Sequence, residues 1–287
     1  MSGVGALLVE PFHVPYMARA LTELVILGVL GAVVGVFVLV RRLAYVADAL
    51  THTVFPGVVV GFTAGAADGV FWGALAAGLV TAVLLTLLTR APRISEDSAL
   101  TVLLTAFFGL GVVLVSRQHG YRHDLTAFLF GQVLTVTRTE VVQSALVAAG
   151  CLAALAVLGR HLTLRAFDPE GARAMGYRIG LLDLALNVVI ALVVVAAVRS
   201  VGTVLVIALV ITPAAFGRVL SHRIPVITAV GAAFGGLCGW LGLAASYQAS
   251  VFHGLQLAAG PAVVLLMTTA YATLLAGAGL LRKARRA

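Results

Sequence analysis

The chain has 287 residues, 61% of them hydrophobic and only 10% charged. A soluble domain carries about 25% charged residues, so no water-facing shell can be built around a core of this size, and the apolar excess must face lipid. The formal net charge of +8 lies on residues scattered between apolar runs and at the C-terminus, which suits membrane-surface loops and argues against a nucleic-acid groove.

A crossing helix needs ~20 mainly apolar residues. Nine segments qualify, at about 20–40, 54–67, 70–89, 98–116, 139–158, 181–198, 201–220, 224–247 and 257–281. They predict an all-α polytopic bundle of eight or nine spans, forming a single membrane domain over 1–287. The stretch before the first segment lacks the basic start of a cleavable signal, so that helix is expected to stay as a span. Gly28, Gly31 and Gly35 recur along it at helical spacing, small residues that let backbones approach closely. The second segment is short. A half-helix packed inside protein is the alternative to a full crossing there.

The link between the first two segments, Arg41 to Gly57, carries the densest chemistry. Asp48 and His52 are four apart, which puts both side chains on one helical face. A carboxylate beside an imidazole suits borderline divalent metals such as Mn, Fe and Zn. Ionisable groups in an apolar region are costly and usually functional. The plainer alternative is an Asp–His hydrogen bond with no ligand. Pro56-Gly57 is placed to interrupt the helix and free backbone groups to line a cavity.

Farther along, Glu96-Asp97 opens the fourth segment, where acids suit a helix N-terminus. The loop after it holds His119, His123 and Asp124, a candidate external metal contact that is otherwise an ordinary solvated loop. Cys151 and Cys238 sit inside apolar runs and read as packing residues. The polar stretch at about 160–180 holds a short helix signal: Asp168 as cap, Pro169 at the first position, Glu170 in the first turn and Gly176 at the end. It reads either as a docking element for a cytoplasmic partner or as a plain connector. Among acids away from helix ends, only Asp48 and Glu23 stand out, which leaves an ion-coupled mechanism little to work with.

Most of the 19 Lys and Arg fall on one side if all nine segments cross. The excess marks that side as cytoplasmic, with the C-terminus on it. There is no GxxxxGK[ST], HExxH or GxSxG in the chain, so it has no ATP-hydrolysing P-loop of its own and no evident catalytic constellation.

The order of these features resembles the membrane subunits of bacterial ABC importers for zinc, manganese and iron. The segments that carry the resemblance are Gly35 to Leu43, Asp48-Ala49-Leu50-Thr51-His52, Phe55-Pro56-Gly57, Ser95 to Ala99, Leu129-Phe130-Gly131, Phe167 to Gly176, and Val201-Gly202 through Thr212-Pro213-Ala214-Ala215. The resemblance implies a type II ABC importer-like permease of the bacterial inner membrane, working as a homodimer or beside a close paralogue. Separate ATPase subunits would bind the ATP and dock on Phe167, Asp168, Pro169, Glu170, Ala172 and Gly176. An extracytoplasmic metal-binding protein would deliver the ion. Asp48 and His52 would line the metal path, and Pro56, Gly57 and Pro213 would break helices for gating. Divalent metal is then the substrate, and no bound cofactor is implied. Thr101 and the loop Ser246–Gly254 depart from the family pattern. The alternatives are an ABC permease for a siderophore or cobalamin chelate, and an ion-coupled secondary transporter that works alone.

Overall fold

A computed structural model of the chain describes residues 9–91, 93–117, 131, 133–254 and 257–284. The helices are α1 (Pro15–Val40), α2 (Ala44–Thr53), α3 (Phe55–Leu88), α4 (Glu96–Ser116), α5 (Arg138–Phe167), α6 (Pro169–Ala174), α7 (Ile179–Leu220), α8 (Ile224–His253) and α9 (Ala259–Ala284). No strand occurs among the described residues. Eight stretches are long and apolar enough to cross a bilayer. The all-α polytopic expectation therefore holds.

The short second segment gains its length from upstream. The span runs Tyr45–Gly65, so α2 and the start of α3 together supply it. The rest of α3 folds back against its own beginning. Added Cβ atoms at Gly57 and Gly61 would run into the carbonyl oxygens of Gly73 and Gly69 respectively. Sixteen residues of straight helix would hold Gly57 and Gly73 ~24 Å apart, so the chain must reverse between Gly65 and Gly69. The spacing of four between Gly57 and Gly61, repeated in Gly69 and Gly73, strips side chains from both contacting faces and lets the backbones touch.

A different interruption occurs in α7. Its 42 residues would extend ~63 Å, about twice the ~30 Å hydrocarbon core. Gly202 breaks it, with φ 77° and ψ 164°, a backbone conformation open only to glycine. The break falls at the start of the predicted segment 201–220, just after the predicted boundary at 199–200, and the helix on each side of it is long enough to cross alone.

The chain divides into two compact units. One comprises the described residues of Phe37–Phe128 and Leu146–Arg199. It holds α2, α3, α4, most of α5, α6 and the first half of α7. Val54, Val58, Ala74 and Val195 form a buried cluster there, with Val70, Phe71 and Leu75 packed against it. The other unit holds most of α1, the start of α5, the second half of α7, α8 and α9. Gly31 and Gly35 of α1 lie against the backbone of Leu209 and Val210, and Gly28 faces Gly235. Phe216 and Phe234 stack with ring centroids 3.9 Å apart.

The hairpin glycines give a stability test. Gly61→Val should overpack the contact with Gly69 and lower stability by about 1–3 kcal/mol, read as a fall in thermal midpoint of the detergent-purified protein. Gly65→Ala, where an added Cβ meets nothing within 4 Å, should leave the midpoint in place.

Candidate functional site

Asp48 and His52 lie on α2 as the spacing predicts, with His52 Nε2 3.7 Å from Asp48 Oδ1. The helix presents two faces. Val46, Ala47, Ala49 and Leu50 are fully buried, while the side chains of Asp48 and His52 keep 37% and 31% exposure. The pair is thus carried on the open side of a helix whose other side is packed. α2 ends beside it. Thr51 Oγ1 donates to the Asp48 carbonyl at 2.6 Å, and Pro56 stands in the first turn of α3, where it has no N–H to contribute. Gly57 serves the hairpin contact.

The His52 ring meets Phe108 of α4 edge-on, with centroids 5.5 Å apart. Phe108 also packs on Phe55 at 5.8 Å, and Gly111 leaves room for the Phe55 ring. Phe108 is about 18 Å along α4 from Glu96 at 1.5 Å per residue, so the His52 ring packs against the middle of that apolar helix.

Chemically the pair offers one oxygen and one nitrogen donor. No third His, Cys, Asp or Glu joins it among the described residues. A divalent ion held here would need further donors from water, backbone or another chain. His119, His123 and Asp124 lie outside the described residues. Pro213 falls inside α7, eleven residues beyond Gly202, with its carbonyl against Gly231.

The stretch after α5 forms the short helix that the sequence signalled. Asp168 Oδ1 accepts from the Gly171 N–H at 2.8 Å. Pro169 opens α6 and Glu170 lies in its first turn. The Gly176 N–H donates to the Arg173 carbonyl at 2.9 Å, and Gly176 takes φ +84°, which reverses the chain out of the helix. Ala172 is fully buried and anchors α6 from beneath, while Phe167 and Met175 stand exposed at its two ends. These large apolar side chains stand beside the exposed Glu170 and Arg173.

Two clusters escaped the sequence reading. Arg41 donates to Asp183 Oδ1 at 2.7 Å and to Glu96 Oε1 at 3.1 Å, and Arg165 donates to Asp183 Oδ2 at 3.2 Å. In the sequence the basic residues serve only as topology markers, and Asp183 does not stand out. The quartet brings the residue after α1, the start of α4, the end of α5 and the start of α7 to one place. It therefore requires that Tyr45 to Leu88 cross twice. The second cluster centres on Glu23, which is fully buried. Its Oε1 accepts from Ser144 at 2.7 Å and from Ser200 at 2.9 Å, while Oε2 has no hydrogen-bond partner. The sequence singled out the acid but gave no hint of the serines, which lie 121 and 177 residues away.

Residues 13–278 match the ABC 3 transport family. The manganese transport system membrane protein MntC of Halalkalibacterium halodurans is 35% identical over 257 residues, covering 90% of this chain and 85% of that protein. The chelated iron transport system membrane protein YfeD of Yersinia pestis is 32% identical over 74% of this chain and 71% of its own. Among solved structures, a chain of PsaBC from Streptococcus pneumoniae in complex with Fab superposes with a TM-score of 0.79 at 28% identity, covering 94% of both chains. The match over nearly the whole length agrees with the eight apolar spans: the chain belongs to the ABC 3 transport family.

Proposed function

We propose that the chain is the membrane-spanning permease subunit of an importer that carries a divalent transition metal ion into the cytoplasm. Separate ATPase subunits drive it. Manganese is the first candidate substrate, after the name of MntC, with iron second, after YfeD. Zinc has the same donor preferences but no such relative among those described above.

The observation that carries this reading is the Asp48–His52 pair, held open on one face of a helix whose other face is packed. An oxygen and a nitrogen donor suit Mn²⁺ and Fe²⁺. Two copies of the permease facing each other would supply two carboxylates and two imidazoles, a full tetrad from a half-site that is too weak alone. Weak or shared coordination serves transport, because the ion must leave as readily as it enters. Phe55, Phe108 and the break before Pro56 would form the apolar surround that opens and closes the path.

Orientation follows from charge. Arg41, Arg42, Arg90, Arg93, Arg173 and Arg178 all share one side whichever way α7 crosses, and that side is the cytoplasm by the positive-inside rule. α6 lies on it. Its capped helix, with exposed Phe167, Glu170 and Met175, would receive the ATPase subunit, while an extracytoplasmic metal-binding protein would deliver the ion to the opposite face.

Asp48→Ala and His52→Ala should each cut manganese(II) accumulation by at least the roughly tenfold loss seen when a metal ligand's support is disturbed, with membrane expression unchanged. Normal uptake of manganese and iron in both variants would remove the pair from the path. Glu170→Arg should abolish co-purification of the ATPase subunit without lowering the permease's thermal midpoint. An intact complex after that substitution would take α6 out of the docking surface.

A further inference from the structure

Nucleotide-driven movement that enters at α6 has to reach Asp48 and His52, and the first unit contains one polar connection laid between the two. α6 is bracketed by Arg165, three residues before its cap, and by Asp183, near the start of α7. These two are joined at 3.2 Å, so the ends of the elements flanking α6 are fastened together. Asp183 turns its other oxygen to Arg41 at 2.7 Å. Arg41 uses its second nitrogen on Glu96 at 3.1 Å, which ties in the start of α4, the helix whose Phe108 touches His52. Arg41 itself stands three residues before α2.

The link from Arg41 to α2 has little slack. Arg42 is the only non-glycine described residue with positive φ, at 59°, and the Leu43 N–H closes onto the Val38 carbonyl at 2.8 Å. The Val46 N–H then bonds back to the Leu43 carbonyl at 3.0 Å, and Leu43 is 5% exposed. A displacement of Arg41 is thereby passed to the start of α2 without a flexible loop to absorb it.

We infer that Arg41 is a positioning residue that couples α6 to the Asp48–His52 pair. Two cations and two anions cancel in this quartet, and the Arg41 side chain is only 7% exposed. A planar guanidinium can hold two carboxylates on different helices at once, which a lysine ammonium on a single flexible stem does not reproduce. Breaking the link leaves Asp183 half-paired and the movement of α6 no longer tied to α2.

The inference rests on the permease reading, and the test separates the two. The permease is reconstituted in proteoliposomes with its ATPase subunit and delivery protein, and manganese(II) uptake and ATP hydrolysis are measured together. In Arg41→Lys and Arg41→Ala, hydrolysis should stay near the wild-type rate while the manganese carried per ATP falls by a factor of roughly two to thirty, the range expected for mutations along a coupling network. Glu96→Gln provides a milder break of the same link should Arg41→Ala fail to reach the membrane. An unchanged ratio in Arg41→Lys and Glu96→Gln overturns the inference. So does a proportional fall of uptake and hydrolysis together, which is the signature of a purely structural role. Asp48→Ala, run alongside, tests the metal path itself: normal uptake there removes the object that Arg41 would position and overturns both readings, whereas lost uptake with an unchanged Arg41 ratio overturns only the coupling role.

Discussion

Backbone in hydrocarbon has to satisfy its own N–H and C=O groups, and the rest of this structure follows from that constraint. Helices meet it residue by residue. They gain no hydrophobic reward for associating, because lipid is as apolar as leucine, so close packing must hold them. Glycine is the means here. Gly57 and Gly61 against Gly73 and Gly69 fold α3 back on itself, and Gly31 and Gly35 let α1 rest on the α7 backbone. The first of these contacts matters for function, since it fixes the end of the span that begins with Asp48 and His52.

Polar groups are then sparse, and each is used. In the first unit, Arg41, Glu96, Arg165 and Asp183 tie the ends of four helical elements together with matched charge. In the second, Glu23 draws the hydroxyls of Ser144 and Ser200 to one oxygen, and so gathers α1, α5 and α7 beside the Gly202 break. Asp48 and His52 differ from both clusters. Arg41 and Glu23 are enclosed, whereas Asp48 and His52 keep 37% and 31% of their side chains exposed.

Much of this was legible in the sequence where the signal is local. Spans follow from hydropathy. The Asp48–His52 face follows from a separation of four. The α6 cap follows from Asp168-Pro169-Glu170 and the terminating Gly176. The hairpin was half-legible: the segment at 54–67 looked short, with a half-helix as the alternative to a crossing, because α2, upstream of Pro56, carries polar residues that depress its hydropathy, yet α2 belongs to the same span. The break in α7 fell close to a boundary between two segments because Arg199 and Ser200 interrupt an otherwise continuous apolar run. What could not be read was pairing over distance. Arg41 reaches Asp183 across 142 residues and Glu96 across 55, and no periodicity encodes such partners.

On the metal path proposed above, two donors on an open face would also set how tightly one copy of the chain holds an ion. Scarce metal at low concentration would then have to be collected by something with a complete coordination shell, because a half-built pair is a poor trap. The poverty is an asset in a conduit. An ion that is never gripped firmly would spend little time on such a path, and throughput would then be governed by how often the protein changes shape instead of by how slowly its cargo dissociates.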